Sequence, residues 1–142
     1  LILDIFGGTG ALGFEALSRG AEKIIYCDLS KEAHKIASQN AQNFNFGNKI
    51  QFFQYDASDP PKAQIQADLV FLDPPYEQNL GEKALNAFHQ KGWFHNETIF
   101  VLEESKNAVL TVPDFLEIID RRLYGKTVLY FMNAIPFMIQ TV

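Results

Sequence analysis

The sequence predicts an α/β fold with a mostly parallel sheet, helices packed on it and an antiparallel hairpin near the C-terminus. Short β-branched and aromatic runs alternate with helical patterns, which is typical of strand–helix–strand units in a parallel sheet. A glycine-rich turn follows the first run, and a short Gly-containing connection joins the last two. A chain of 142 residues, 47% of them hydrophobic, is sufficient for one domain with a substantial core.

Five runs are predicted to form the parallel part of the sheet. They lie near Leu1–Ile5, Ile24–Asp28, Ile50–Tyr55, Ala67–Leu72 and Thr98–Glu103. Two further runs, Phe115–Leu123 and Thr127–Met132, flank Tyr124-Gly125-Lys126 and predict the hairpin. Such a pair would add an antiparallel strand at or inside the edge of the sheet.

Three helices are predicted between these strands. The first covers residues 11–17 and ends at Gly20 in the C′ position. The second begins after Ser30 as the N-cap and runs to about Asn43. The third spans about Gly81–Lys91. The residues of the second helix that are predicted to share its apolar face are Ala33, Ile36, Ala37 and Phe44.

Composition and charge limit the class of protein. No apolar run approaches the roughly 20 residues of a membrane span, and no charged leader precedes an apolar signal region. The expected location is therefore the cytoplasm, away from membranes. A net charge of −5 and a pI near 5.1 argue against a free-standing nucleic-acid-binding module, whose usual mark is a basic surface.

The sequence also leads to expectations about the N-terminus, the single cysteine and the C-terminal tail. Because the chain opens inside a strand pattern without an initiator Met, we expect an N-terminal segment to precede Leu1 in the natural protein. Cys27 is the only cysteine and lies in an apolar run, so it is expected to be buried without a chemical role. Pro136 prevents a regular central strand in the tail, residues 134–142.

The glycine-rich turn predicts a nucleotide-like ligand. Gly8, Gly10 and Gly13 fit the pattern G-x-G-x-x-G between a strand and a helix. In that pattern the glycines allow a tight turn, a close approach of the backbone to the ligand and close helix packing. The alternative is a tight turn with no ligand.

Acidic residues end the next two predicted strands. Asp28 follows the second strand, where a carboxylate can accept hydrogen bonds from both hydroxyls of a ribose. Asp56 follows the third strand. The alternatives are that Asp28 helps to cap the helix after Ser30 and that Asp56 opens an Asx turn into Ala57 and Ser58.

The segment Asp73-Pro74-Pro75-Tyr76 follows an apolar run and stands at the carboxyl end of a predicted buried strand. Open α/β sheets bind ligands at that edge. The carboxylate and the stiff proline backbone offer hydrogen-bond acceptors, and the aromatic ring offers a flat surface, which suits a planar amine such as a nucleobase. The alternative is that the prolines only end the strand and Tyr76 covers the core.

The glycines alone leave more than one class of function open. A dinucleotide-dependent oxidoreductase needs a pyrophosphate at the helix N-terminus, whereas a methyltransferase places the aminocarboxylate of S-adenosylmethionine near the same turn. A non-catalytic protein that binds the cofactor and serves only as an assembly partner is a third possibility. The combination of acidic strand ends with residues 73–76 favours the methyltransferase.

That combination resembles the amino-methyltransferases of nucleic acids. More closely, residues 4–21, 69–76 and 124–127 resemble the bacterial 16S ribosomal RNA guanine-N2 methyltransferase family, and the resemblance covers most of the chain to about Asn133. It implies a Rossmann-like class I methyltransferase fold: a mostly parallel seven-stranded sheet with an antiparallel C-terminal hairpin and helices on both faces. It also implies a catalytic domain over residues 1–133, with a tail of unassigned role at 134–142.

The resemblance implies S-adenosylmethionine as the cofactor and assigns residues to its parts. The methionine part would contact Asp4, Phe6, Gly8 and Gly10, the ribose would contact Asp28, and the adenine would contact Asp56 and Ala57. The residues that would face the target base and carry the catalysis are Asp73, Pro74 and Tyr76. Relatives usually have a small residue such as Ala where this chain has Gly7, which is expected to be a mild change.

The substrate implied by the resemblance is the exocyclic N2 amine of a guanine in small-subunit ribosomal RNA. Asp-Pro-Pro-Tyr also occurs in adenine-N6 methyltransferases of DNA and RNA, so the segment itself indicates an amine and leaves the base open. The expected partner is ribosomal RNA within the small subunit, and the protein is expected to be a monomer. No metal is expected, because the three histidines, His34, His89 and His95, show no ligand spacing.

Two charged groups are expected to be solvated. Glu103 and Glu104 close the fifth predicted strand and are interpreted as a solvated strand end rather than as contacts to the substrate pocket. Arg121, Arg122 and Lys126 form a small basic cluster near the hairpin, for which a solvated face is favoured over phosphate contact.

Overall fold

The computed structural model describes residues 1–74, 80–136 and 139. Within these residues the chain forms seven strands and three helices. In chain order they are β1 (Ile2–Ile5), α1 (Ala11–Ser18), β2 (Ile24–Cys27), α2 (Lys31–Asn43), β3 (Ile50–Phe53), β4 (Ala67–Leu72), α3 (Leu80–Gln90), β5 (Phe94–Ser105), β6 (Leu116–Tyr124) and β7 (Thr127–Ala134).

The strands form one sheet in the order β3-β2-β1-β4-β5-β7-β6. Neighbours from β3 to β5 pair in parallel, whereas β7 pairs antiparallel with both β5 and β6. The predicted hairpin therefore forms, and its second strand lies inside the sheet. The direction in which successive strands are added reverses between β1 and β4, and this is the switch point at which open α/β sheets bind ligands.

Helices cover both faces of the sheet. On one face, Phe88 of α3 belongs to the main core cluster. On the other face, Leu17 of α1 packs with Ile2. Helix α2 shares the face of α1, because the His34 ring lies edge-on to the Tyr26 ring with 5.0 Å between centroids. The carboxyl ends of β1 to β4 thus lie between two helical layers.

Helix α2 contacts the sheet through small side chains. Ala37 and Ala41 are buried, whereas Ile36 is 40% exposed and Phe44 is 60% exposed. The prediction that Ala33, Ile36, Ala37 and Phe44 share one apolar face is therefore wrong for Ile36 and Phe44. Ile36 lies one residue to the side of the buried stripe, and Phe44 follows the last helical residue, Asn43, so it no longer keeps the helical spacing.

The predicted end of α1 is confirmed, and the predicted start of β5 is corrected. Gly20 has φ 105°, its N–H donates to the Leu17 carbonyl and the Ala21 N–H donates to the Ala16 carbonyl. This is a Schellman motif with Gly20 at C′, as predicted. Strand β5 begins at Phe94, four residues before the predicted start.

Within the described residues, no helix is long and apolar enough to cross a membrane. Cys27 is buried, as expected from its apolar run. Of the C-terminal tail, the described residues are 134–136 and Ile139, and Ile139 is buried.

Candidate active site

The turn between β1 and α1 depends on glycine at three positions. Gly8 and Gly10 have φ of 56° and 84°, in the left-handed region that favours glycine. Gly13 lies against β2, where an added Cβ would come within 2.8 Å of the Ile24 Cδ1 atom. Glycine at these positions therefore allows the tight turn and the close helix packing that the glycine pattern predicts. Phe6 also has a positive φ, 61°, which is uncommon for an aromatic residue.

Tyr26 of β2 packs directly on this turn. Its hydroxyl donates a hydrogen bond to the Gly8 carbonyl. A Cβ added at Gly7 would lie 2.3 Å from a carbon of the Tyr26 ring. An alanine at this position would therefore require the Tyr26 ring to move, because the ring occupies the space that a methyl group needs.

The Asp28 carboxylate connects the end of β2 to two neighbouring segments. Its Oδ2 atom accepts a hydrogen bond from the Gly8 N–H at 3.0 Å, and its Oδ1 atom accepts one from the Ser30 N–H at 2.9 Å. The Ser30 hydroxyl in turn accepts from the Ala33 N–H at 3.1 Å, as predicted for an N-cap. Asp28 thus helps to organise the start of α2 and also faces the glycine turn.

Asp56 forms the Asx turn that was the alternative interpretation. Its Oδ1 atom accepts hydrogen bonds from the Ser58 N–H at 2.9 Å and from the Ser58 hydroxyl at 2.7 Å. These bonds hold the pKa of Asp56 below its ordinary value. Ala57 follows, half-buried against the core.

A cavity of about 540 Å³ opens at the carboxyl edge of the sheet beside these residues. Four of the predicted cofactor residues line it: Phe6, Asp28, Asp56 and Ala57. The sequence analysis missed other lining residues, namely Cys27, Leu29, Ser30, Tyr55 and Leu80. The available indication was that these residues lie at or just beyond strand ends or at the start of α3. The apolar residues among them, however, resemble ordinary core residues.

Asp4 is a buried acid in the middle of β1, on the face of α1. Its side chain is 3% exposed, and its Oδ2 atom has no hydrogen-bond partner among the described residues. Burial, followed by the charges of Asp73 and Asp28, raises the pKa of Asp4 to about 7. The carboxylate is therefore close to both other acids and has one buried acceptor atom without a partner among the described residues.

Asp73 and Pro74 follow β4 at the same edge. The Asp73 side chain is exposed, yet neighbouring protein atoms displace enough water to raise the pKa of its carboxyl. Pro74 is buried, and its Cγ atom would be 3.4 Å from a Cβ at Gly81 in the first turn of α3. Pro75 and the predicted base-stacking residue Tyr76 lie outside the described residues.

The glutamates at the end of β5 are closer to this edge than expected. Glu103 and Glu104 are both partly buried, and burial followed by the charge of Asp73 raises the pKa of each. The interpretation of both as a freely solvated strand end is wrong. The available indication in the sequence was their position near the carboxyl end of a predicted strand.

Two of the three histidines and the basic cluster lie away from this edge, whereas the His34 ring is hydrogen-bonded to the Asp28 carbonyl at 2.6 Å. The His89 ring stacks on the Phe115 ring with 3.9 Å between centroids, and His95 is hydrogen-bonded to Asp68 at 2.8 Å. Arg121 and Arg122 are exposed on β6, where their guanidinium groups lie over the Tyr130 and Phe131 rings. Their exposure is as expected.

Comparison with known proteins places the chain in a family. The family model described as conserved hypothetical protein 95 matches residues 1–133. The ribosomal RNA small subunit methyltransferase D of Haemophilus influenzae is 32% identical over 127 residues, covering 87% of this chain and 66% of that protein. The chain belongs to this bacterial ribosomal RNA methyltransferase family.

Another member is the ribosomal RNA small subunit methyltransferase D of Escherichia coli K12, which is 32% identical over 112 residues. That match covers 78% of this chain and 57% of that protein. The chain thus spans about three fifths of the length of these two family members.

Solved structures confirm the expected fold. The crystal structure of HI0767 from Haemophilus influenzae, described as a methylase, has a TM-score of 0.82 and 28% identity, covering 94% of this chain and 86% of that chain. The structure of yhhF from Escherichia coli, described as a methyltransferase, has a TM-score of 0.83 and 26% identity, covering 94% and 76% of the two chains. This chain has the class I methyltransferase fold.

Proposed function

We propose that this protein transfers a methyl group from S-adenosylmethionine to the exocyclic N2 amine of a guanine in small-subunit ribosomal RNA. The observation that carries the proposal is the convergence of Asp4, Asp28 and Asp73 at the switch point of the sheet, where Asp28 lines a cavity of about 540 Å³. This edge offers several hydrogen-bond acceptors, and it suits ligands that bring N–H and O–H donors. Residues 1–133 would form the catalytic unit.

The described residues fit S-adenosylmethionine. The unpartnered Oδ2 atom of Asp4 can accept a hydrogen bond from the ammonium group of its methionine part. The Asp28 carboxylate accepts two backbone N–H bonds and retains lone pairs for the ribose hydroxyls. Asp56 and Ala57, with Tyr55 beside them, would border the adenine. Phe6, Gly8 and Gly10 would lie along the methionine part.

When bound, the cofactor supplies an electrophilic methyl group. The amine of guanine is a poor nucleophile because its lone pair is delocalised into the ring, so positioning is the main task of the protein. The Asp73 carboxylate and the Pro74 carbonyl would each accept one N–H of the amine and turn its lone pair towards the methyl group. The raised pKa of Asp73 makes its carboxylate a stronger acceptor for the departing proton.

Tyr76 keeps the role that the sequence predicts. As an aromatic residue three positions after Asp73, it would stack on the base once the base has left its helix or loop. Stacking of this kind contributes about 1–3 kcal/mol per base.

The substrate part of the proposal rests on the resemblance and on the relatives. Proteins with similar sequences are named for the small ribosomal subunit RNA. The net charge of −5 fits a folded ribonucleoprotein, in which proteins also supply contacts, better than naked DNA. The alternative is adenine-N6 methylation of DNA or RNA, since that amine also presents two N–H groups.

The test is to identify the methylated nucleoside. The complete natural protein would receive labelled S-adenosylmethionine and a choice of undermethylated small subunits, free ribosomal RNA or duplex DNA. Mass spectrometry should find N2-methylguanosine in the ribosomal substrate, and the Asp73→Ala variant should not produce it. N6-methyladenine in DNA would overturn the substrate assignment, and tight binding of a dinucleotide instead of S-adenosylmethionine would favour an oxidoreductase.

A further inference from the structure

Glu103 lies beside Asp73 at the end of the neighbouring strand. Leu72 of β4 pairs with Leu102 of β5 in parallel register. The next residues are Asp73, directly after β4, and Glu103, within β5, and adjacent strands are about 4.8 Å apart. The charge of Asp73 contributes to the raised pKa of Glu103 and also to that of Glu104, so the strand register and not the pKa distinguishes the two glutamates. The two carboxylates are therefore neighbours at the carboxyl edge.

The alternation of side chains along β5 sends Glu103 and Glu104 to opposite faces. Leu102 is buried in the main core cluster on the face of α3. Glu104 shares that face, because its Oε1 atom would be 3.9 Å from a Cβ at Gly81 of α3. Glu103 consequently points to the other face, which is the face of Asp4. The two adjacent glutamates thus approach the edge from opposite faces, Glu103 on the face of Asp4 and Glu104 beside Gly81 and Pro74.

No positive charge neutralises Glu103 in the described part of the chain. None of the ion pairs found there includes its carboxylate. On the same face, the buried Oδ2 atom of Asp4 also lacks a hydrogen-bond partner among those residues. The carboxylate of Glu103 is partly exposed, so a ligand at this edge can reach it. The neighbouring carboxylates of Asp73 and Glu103 suit a ligand that presents adjacent N–H donors.

Guanine has that pattern of donors on its Watson–Crick edge. Its N1–H and its N2 amine point in the same direction as neighbours. Adenine presents an amine at N6, but the adjacent N1 atom carries a lone pair. A carboxylate next to the amine acceptor would therefore bind guanine and repel adenine.

We propose that Glu103 determines base specificity: its carboxylate accepts the N1–H of the target guanine while Asp73 accepts an N–H of the N2 amine. The inference rests on the proposed function and adds a residue that selects the base. Glu104, on the opposite face, has no part in this recognition.

The test uses 2-aminopurine, which keeps the 2-amine and has a lone pair at N1. After the target guanosine has been mapped, small subunits would be rebuilt with 2-aminopurine at that position, and kcat/KM would be compared with that for guanosine. The unaltered protein should prefer guanosine by about 10- to 100-fold, the range for one hydrogen bond to a charged group. Glu103→Gln should lower this preference at least tenfold, because its amide can donate to the N1 lone pair. Glu104→Gln should leave the preference unchanged.

Glu103→Asp supplies a second variant that keeps the charge. It should retain the preference for guanosine while lowering the rate, and calorimetry with S-adenosylhomocysteine should show normal cofactor binding in all three variants. If the preference for guanosine over 2-aminopurine changed no more in Glu103→Gln than in Glu104→Gln, this inference would be overturned and the proposed function would stand. Failure of the unaltered protein to form N2-methylguanosine would overturn the proposed function and this inference together.

Discussion

The Asp28 carboxylate and the Gly8 backbone N–H are joined by a hydrogen bond of 3.0 Å, although 20 residues separate them in the sequence. The bond ties the end of β2 to the glycine turn, and it places the acid beside the cavity at the carboxyl edge. Asp28 therefore has a structural partner before any ligand arrives. Its removal should affect the turn and the cofactor together.

We expect Asp28→Ala to weaken binding of S-adenosylhomocysteine about 10- to 100-fold, since a hydrogen bond to a charged group contributes about 1.5–3 kcal/mol. Asp28→Asn keeps one acceptor oxygen, so its affinity should lie between those of the unaltered protein and Asp28→Ala. Isothermal calorimetry measures the effect. Asp59→Ala, at an exposed acid in the loop after β3, is the control and should bind normally. Equal affinities for Asp28→Ala and Asp59→Ala would contradict the assigned role.

Asp73→Ala should abolish turnover and leave cofactor binding nearly unchanged. The carboxylate is proposed to act on the amine, so its loss removes an interaction made in the transition state and should lower kcat by about 10²-fold or more. Single-turnover kinetics at saturating cofactor, with calorimetry alongside, separates the two effects. A normal kcat, or a cofactor affinity that falls as far as in Asp28→Ala, would show that the roles are divided differently.

Gly7→Ala should destabilise the protein by about 1–3 kcal/mol, the usual cost of overpacking. The added methyl group would stand 2.3 Å from a Tyr26 ring carbon. Gly47→Ala is a matched control, since a Cβ there meets nothing within 4 Å. Urea unfolding measures both variants. The double variant Gly7→Ala/Tyr26→Leu should be less destabilised than the sum of its single changes, and strict additivity would argue against the clash.

Ionisation of Asp4 should lower the free energy of unfolding as the pH rises towards neutrality. Its pKa in the folded protein is about 7, above the ordinary value of 3.8, so the folded state holds the proton more tightly. Its favourable contribution is thus fully present below about pH 4 and is lost as pH rises through about 7. Asp4→Asn should therefore gain stability relative to the unaltered protein between pH 5 and pH 8, with a full effect on the order of 4 kcal/mol. Urea unfolding across that pH range measures the effect. A difference in the free energy of unfolding between the two proteins that does not change with pH would contradict the prediction.

Tyr76 should act through its ring. Tyr76→Ala should raise the KM for the RNA substrate about 5- to 100-fold, as expected from the loss of about 1–3 kcal/mol of stacking. Tyr76→Phe keeps the ring and should remain within about twofold of the unaltered protein. Steady-state kinetics with undermethylated small subunits distinguishes the two. If the phenylalanine variant were as impaired as the alanine variant, the hydroxyl would carry the role instead.

The order of the elements could be predicted from the sequence because the information for it is local. Strand and helix periodicity, the N-cap Ser30 and the C′ residue Gly20 each depend on a few neighbouring residues, and the structure confirms them. The C-terminal hairpin follows from its short Gly-containing connection in the same way. The resemblance of three segments to a known family was sufficient for the fold class.

Properties that depend on neighbours far apart in the chain required the tertiary structure. Whether Gly7 tolerates a methyl group depends on Tyr26, which reaches it from the adjacent strand. Whether Ile36 is buried depends on the angle at which α2 meets the sheet.

The electrostatics of the site have the same origin. The raised pKa of Asp4 results from burial and from acids on two other strand ends, and Glu103 is brought beside Asp73 by the parallel register of β4 and β5. The sequence by itself determined the elements, the glycine turn and the acids that end the strands, because these patterns are short-range. Only the tertiary structure decided which acids meet, how deeply they are buried and which of two adjacent glutamates faces the site, because these depend on register, packing and the exclusion of water.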